Sequence, residues 1–327
     1  MTPPARVLAL CGGVGGAKLA LGLSHILSEG DLTVVVNTAD DFDHLGLRIC
    51  PDLDTVTYTL AAIVNPHTGW GRAEETGNFM AALSALGGEE WFYLGDKDLA
   101  VHVERTRRLK VGEQLDAVTQ GIARKLGIAV QILPMSNDPV ATMVATDAGA
   151  LAFQHYFVRE RCQPRVTGFH FTGIAAATPH PELMDALAGD DLAAVIICPS
   201  NPFVSIDPIL ALPGVREALR TTSAPVIAVS PVVGGAAVKG PTAKIMAELG
   251  LEVSARAVAE RYVDILDGFV VDRQDAALVD QIARTVDRVK VAQTIMVTLQ
   301  DRVSLAREVL LFAKRCSAKA RGNPVLS

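Results

Sequence analysis

The feature that most constrains this chain lies within its first forty residues. Val7 to Cys11 is a short, unbroken apolar run that stops at Gly12-Gly13-Val14-Gly15-Gly16. Helix formers follow from Ala17 to Leu27, and a second β-branched run occupies Leu32 to Val36. Continuous apolar strands separated by helical stretches belong to parallel sheets covered on both faces. The opening therefore predicts strand, glycine turn, helix, strand. The rhythm returns later. Ala193 to Cys198 runs into Pro199-Ser200-Asn201-Pro202, Pro225 to Val229 runs into Ser230-Pro231, and Gly268 to Val271 precedes a helix expected over Ala276 to Thr285. A closing amphipathic helix is expected over Arg302 to Lys314.

Between these halves the pattern turns helical, over Arg72 to Leu86 and Leu99 to Leu126, before Val130 to Leu133 returns to strand. Thr142 to Thr146 and Ala150 to Phe153 read as a hairpin turning through Asp147-Ala148-Gly149. With no internal repeat and no linker, the economical architecture is one α/β domain over 1–327: a Rossmann-like, three-layer core around a parallel sheet, with a mostly helical insertion over about 56–128.

Composition excludes several classes. Thirty basic against 36 acidic residues give a net charge of −6, which disfavours a nucleic-acid partner. The densest basic run, Arg105 to Lys110, reads as a solvated helix face. No apolar stretch reaches the roughly 18 to 20 residues of a membrane span. Cys11, Cys50, Cys162, Cys198 and Cys316 are odd in number and form no C-x-x-C pair, which fits reduced thiols in the cytoplasm rather than a disulfide framework or zinc site.

The glycine cluster places bare backbone N–H groups at a helix N-terminus, the general arrangement for holding phosphate. It is not a Walker A loop, because Ala17-Lys18-Leu19 supplies neither the glycine nor the hydroxyl, and Lys18 stands where the dinucleotide fingerprint needs its third glycine. That absence also disfavours a nicotinamide-dependent oxidoreductase using Asp40 or Asp41 as its ribose acid. After the second strand come Asp40, Asp41 and Asp43, then Asp52 and Asp54, five carboxylates in fifteen residues. Two like charges 4 Å apart repel by roughly 4 kcal/mol at an effective dielectric near 20, so a polyphosphate beside them requires a divalent cation. Mg²⁺, which takes one or two carboxylates plus substrate oxygens, is the expected ion for some of these acids, with Asp40 and Asp54 the favoured functional pair. Asp54 or Thr55 could instead cap a helix over Val56 to Ile63. Asp52 reads as a helix cap. Ser200, Asn201 and Ser230 end strands where open α/β sheets place ligands, and their side chains suit either a nucleotide or a turn.

These residues stand in a familiar order. Gly12-Gly13-Val14-Gly15-Gly16-Ala17-Lys18, Asn37-Thr38-Ala39-Asp40-Asp41, Ile49-Cys50-Pro51-Asp52-Leu53-Asp54-Thr55, Leu94-Gly95-Asp96-Lys97-Asp98, Pro199-Ser200-Asn201-Pro202 and Ser230-Pro231-Val232-Val233-Gly234 together closely resemble the 2-phospho-L-lactate transferase family of coenzyme F420 biosynthesis, CofD in archaea and FbiA in actinobacteria. The resemblance spans roughly residues 6–315. It implies Mg²⁺ dependence, a homodimer, and two substrates: the deazaflavin Fo and a guanosine diphosphate carrying a three-carbon phosphoacid. The ribityl hydroxyl of Fo attacks the phosphate bearing that acid and displaces GMP. On the same grounds Asp54 and Asp40 hold the ion and orient the hydroxyl. Lys97, where the family commonly has Arg, touches Fo. Gly13, Gly15, Gly16, Lys18, Ser200, Asn201 and Ser230 line the donor site, and the helical insertion contributes to the deazaflavin pocket. Phospholactate, phosphoenolpyruvate and phosphoglycerate stay open as the group carried. The alternative in the same superfamily is a nucleotide-sugar-binding regulator, similar to the bacterial gluconeogenesis factors, with no transferase activity.

Overall fold

The computed structural model describes residues 6–238 and 240–316. Along the chain, strand β1 (Arg6–Cys11) leads into helix α1 (Gly13–Ser24) and β2 (Leu32–Val36). A small hairpin follows, β3 (Phe42–His44) and β4 (Leu47–Ile49), then α2 (Pro51–Leu60), α3 (Asn78–Ala85), α4 (Asp96–Lys110) and α5 (Leu115–Lys125). Next come β5 (Gln131–Pro134), β6 (Ala141–Thr146), β7 (Gly149–Ala152) and β8 (Val166–Thr172). The second half carries β9 (Leu192–Ile197), β10 (Val226–Val229), the short pair β11 (Val232–Val233) and β12 (Ala236–Ala237), β13 (Gly268–Asp272), β14 (Val289–Ala292) and a last helix, Leu299–Ala313.

Seven strands form one sheet in the order β14-β13-β10-β9-β1-β2-β5, and every neighbouring pair in it is parallel. The alternation within each strand divides the core. Leu8, Leu10, Val195, Ile197 and Phe269 face one apolar layer, while Val7, Ala9, Cys11, Ile196 and Val270 face the other, where α1 and Leu299–Ala313 also pack. Both faces are dry, which is why these strands read as continuous apolar runs. The predicted hairpin is present, β6 with β7, and β8 joins it to make a separate three-stranded antiparallel sheet. Among the described residues no helix is long and apolar enough to cross a membrane.

Four local expectations shift. Helix α1 starts at Gly13 rather than Ala17, so the glycines are its first turn and not a free loop. The helix expected over Arg72 to Leu86 is confined to Asn78–Ala85, and the one expected over Ala276 to Thr285 is a 3₁₀ stretch, Arg273–Leu278, followed by a single turn, Val279–Ile282. The fourth concerns the basic run. Arg107 and Arg108 reach solvent, but Arg105 is only 3% exposed, because its guanidinium points inward to Asp54.

The strand order reverses between β1 and β9: successive crossovers step outward to β2 and β5 on one side, and to β10, β13 and β14 on the other. In open α/β sheets the ligand crevice lies outside the carboxyl ends of the strands at that reversal. Here it falls between Gly12, after β1, and Pro199-Ser200-Asn201, after β9.

Candidate active site

The loops at the reversal are stitched together by short polar bonds. The Ser200 hydroxyl accepts from the Gly12 amide and donates to the Gly12 carbonyl, both at 3.0 Å. Asp52, in the first turn of α2, accepts the Gly13 amide at 2.7 Å and the Asn37 side-chain amide at 3.0 Å. Asn37 also donates to the Val204 carbonyl at 3.2 Å. Asp52 is thus a cap, as expected, but of α1 rather than of its own helix. The glycines permit this closeness. A Cβ on Gly15 would lie 2.2 Å from the Pro199 carbonyl oxygen, and one on Gly16 would lie 2.5 Å from both the Cys11 sulfur and the Ser200 hydroxyl.

The other expected donor-site residues are also held by the protein. Asn201 accepts the Phe203 amide at 3.0 Å and caps the turn beginning at Pro202. Ser230 donates to the Val232 carbonyl at 2.8 Å, closing its own turn. Lys18 reaches the Met296 carbonyl at 2.8 Å, before the last helix.

Beyond β2 the chain buries acids. Asp40 and Asp41 are each 5% exposed, and Asp40 Oδ1 and both oxygens of Asp41 have no hydrogen-bond partner. Burial, reinforced by the nearby charge of Asp52, pushes Asp40 well above the usual carboxylate range. Burial also lifts Asp41, to about 7, against the pull of Arg48, whose guanidinium lies 3.8 Å away. Unpartnered carboxylate oxygens in a dry site are what a hard cation would satisfy, so Asp40 fits the expected magnesium ion.

Asp54 is differently placed. Arg105 grips both of its oxygens, through Nη1 to Oδ2 at 3.1 Å and through Nη2 to Oδ1. The same Nη1 donates to the Arg48 carbonyl at 3.3 Å and lies 3.3 Å from His102 Nδ1. His102 Nε2 stands 3.3 Å from Asp98, which also accepts the Tyr58 hydroxyl. Although burial works the other way, the bonds from His102 and Tyr58 hold the Asp98 carboxyl below its ordinary value. Asp54, Asp98 and His102 each present one atom within 4.8 Å of the others, and this group could hold a metal ion. A carboxylate has about four lone-pair sites, so the guanidinium does not exhaust Asp54 as a ligand. The imidazole favours transition metals rather than magnesium.

The insertion is tied together by exchanged caps. Glu75, just before α3, accepts the Lys97 and Asp98 amides at the start of α4, each at 2.7 Å. Asp96, in that first turn, accepts the Phe79 amide of α3 at 3.0 Å. Lys97 projects outward, 45% exposed and 3.6 Å from Glu74. The chain pattern gave no warning of Arg105, His102 or Asp98 as partners of Asp54. The available signal was their spacing: at i, i+4 and i+7 they share one face of α4.

The doubly wound sheet, its strand-end crevice and the buried acids beside it define an α/β enzyme. The model of the family 2-phospho-L-lactate transferase CofD matches residues 7–308. A phosphoenolpyruvate transferase of Streptomyces avermitilis is 42% identical over 315 residues, covering 94% of this chain and 98% of that protein. A 2-phospho-L-lactate transferase of Methanosarcina acetivorans is 41% identical over 311 residues, covering 95% and 100%. Among solved structures, a UPF0052-family protein of Bacillus halodurans superposes with a TM-score of 0.59 at 15% identity, over 95% of this chain and all of that one, a likeness of fold alone. The chain belongs to the CofD family and is a transferase of coenzyme F420 biosynthesis. The regulator reading gives way to the enzyme.

Proposed function

We propose that the protein transfers a phosphorylated three-carbon acid from a guanosine-diphosphate donor to the ribityl hydroxyl of Fo, releasing GMP. The observation that carries this reading is the joint burial of the family's acids beside the strand-end crevice: Asp40 and Asp41 follow β2, and Asp41 lies within electrostatic reach of both Arg105 and Asp54. The hydroxyl oxygen of Fo forms a bond to the phosphorus that bears the acid, and the anhydride bond from that phosphorus to GMP breaks. The hydroxyl proton passes to a carboxylate. Such a transfer asks the protein mainly to position reactants and neutralise charge.

Asp40 and Asp54 are the proposed holders of Mg²⁺, and when bound the ion supplies the positive charge that offsets the donor diphosphate. Asp54, fixed in orientation by Arg105, presents an oxygen to the Fo hydroxyl. Lys97, exposed on the first turn of α4, is the proposed contact to Fo, as a single ammonium rather than a two-pronged guanidinium. The guanosine diphosphate is assigned to the reversal between β1 and β9, with Gly13, Gly15 and Gly16 on one side and Ser200 and Asn201 on the other. The helices from α2 to α5 form the wall of the deazaflavin pocket. The five free cysteines support a reducing, cytoplasmic setting, and a homodimer follows from the family resemblance.

Relatives named for phosphoenolpyruvate and for 2-phospho-L-lactate are 42% and 41% identical to this chain, so the proposal names the class of acid. The test is incubation of the purified protein with Fo, Mg²⁺ and the lactyl, enolpyruvyl or glyceryl diphosphoguanosine donor, followed by mass analysis. A mass gain on Fo equal to one phosphoacid, with GMP released, is expected from at least one donor. Unchanged Fo with all three overturns the reading.

A further inference from the structure

Beside the acids lies a cavity of about 270 Å³, lined among others by Thr38, Asp41, Arg48, Gln114, Leu115 and Asn137. Thr38 and Asp41 follow β2, and Asn137 follows β5, so the cavity opens at the carboxyl ends of two adjacent parallel strands. At roughly 30 Å³ per water-sized group, it has room for about nine such groups. That accommodates a small acid.

Its chemistry points the same way. The Arg48 guanidinium stands 3.8 Å from Asp41 and 3.6 Å from Asp43. Both are ion-pair distances longer than a close hydrogen bond, so the two acids leave part of its N–H fork for a carboxylate contact. The Thr38 hydroxyl, only 3% exposed, has no partner and is a second donor. The other acids on the wall are already engaged: Glu113 by Arg108 at 3.0 Å and Asp138 by the Thr178 amide at 2.7 Å. Arg48 is therefore the cation of the cavity. Leu115 gives it an apolar side, suited to the carbon end of a short acid.

We propose that this cavity receives the three-carbon acid of the donor, with Arg48 and Thr38 holding its carboxylate. The inference rests on the proposed function and adds to it the part of the site that reads the transferred group. All three acids carry the carboxylate, so Arg48 serves each of them. Selection among them falls to Leu115, Gln114 and Asn137, which line the same cavity and carry no charge.

The test compares donor with GDP, which has the same guanosine and diphosphate but no acid. Arg48→Met is expected to raise KM for whichever donor the wild type uses by about thirtyfold, the scale of losing a charge-assisted pair. GDP affinity, measured by calorimetry, and Fo affinity are expected to stay within twofold. Arg48→Lys restores part of the loss. Thr38→Val, nearly equal in volume, gives a second reading with a donor KM about fivefold higher and GDP unchanged. A donor KM within threefold of wild type in Arg48→Met, or GDP binding that weakens in step with the donor, overturns the assignment. If the wild type converts Fo and only these results fail, the cavity is wrong; if the wild type converts none of the donors, the proposed function itself fails.

Discussion

Arg105 of α4 holds Asp54 of α2, guanidinium against carboxylate, with both oxygens engaged and the two residues 51 positions apart in the chain. Both side chains are almost wholly enclosed, at 4% and 9% exposure. Removing one partner of a buried pair strands the other charge, at a cost of about 3–5 kcal/mol. Arg105→Met should therefore lower unfolding stability by that amount, and Asp54→Asn by less, since the amide keeps its volume and an accepting oxygen. Urea denaturation of both single variants and the double variant closes a coupling cycle. Additive losses would mean that the two groups do not act as a pair.

The same carboxylate carries a kinetic prediction. Asp54→Ala and Asp40→Ala are each expected to lower turnover at least ~10²-fold, on the order of 3 kcal/mol, the usual size of one lost transition-state contact. Steady-state rates with saturating Mg²⁺ decide it. Near-normal turnover in both variants removes them from the chemistry.

How far the sequence revealed this site depends on what each residue had to meet. The parallel sheet was legible because apolar runs such as Val7 to Cys11 are dry on both faces. Asp40 and Asp54 stood out as candidates because five acids in fifteen residues are unfavourable without a partner. Arg105 was not, because its neighbours Arg107 and Lys110 face outward, and one inward position in a basic run depends on tertiary packing. The role of Asp52 escaped for a similar reason: its acceptor geometry is set by α1, 39 residues earlier in the chain. Ser200 and Ser230 carry side chains equally suited to ligands and turns, and only the fold shows their bonds to Gly12 and Val232.

Asp41 makes stability depend on pH. In the folded chain burial raises it from an ordinary 3.8 to about 7. Within that window the folded state keeps a proton that the unfolded state has released, so stability falls as pH rises and levels off above 7. Between pH 5 and pH 8 the loss from this group is on the order of 2–3 kcal/mol. Asp40 and Asp52, both also raised, act in the same direction. Metal-free protein is expected to be less stable at pH 8 than at pH 5 by urea denaturation, and Asp41→Asn to flatten the curve by that amount. An unchanged slope in the variant would show that Asp41 titrates normally.

Gly15 separates two explanations of the glycine-rich turn by the sign of one measurement. Gly15 lies in the first turn of α1, and alanine in a helix is intrinsically better than glycine by about 1 kcal/mol. If the residue served only to expose amides to a phosphate, Gly15→Ala would leave the unliganded protein as stable or slightly more stable. The structure puts the new Cβ 2.2 Å from the Pro199 carbonyl oxygen, a backbone atom that cannot swing aside as a side chain would. Either α1 or the Pro199-Ser200-Asn201 loop must shift. Overpacking of this kind costs about 1–3 kcal/mol. Gly15→Ala is therefore expected to destabilise the free protein by that amount and to weaken GDP binding, because the two walls of the crevice move apart. Urea unfolding without ligand, followed by GDP calorimetry, gives both readings. A free protein as stable as wild type would return the glycine to a role in ligand contact alone.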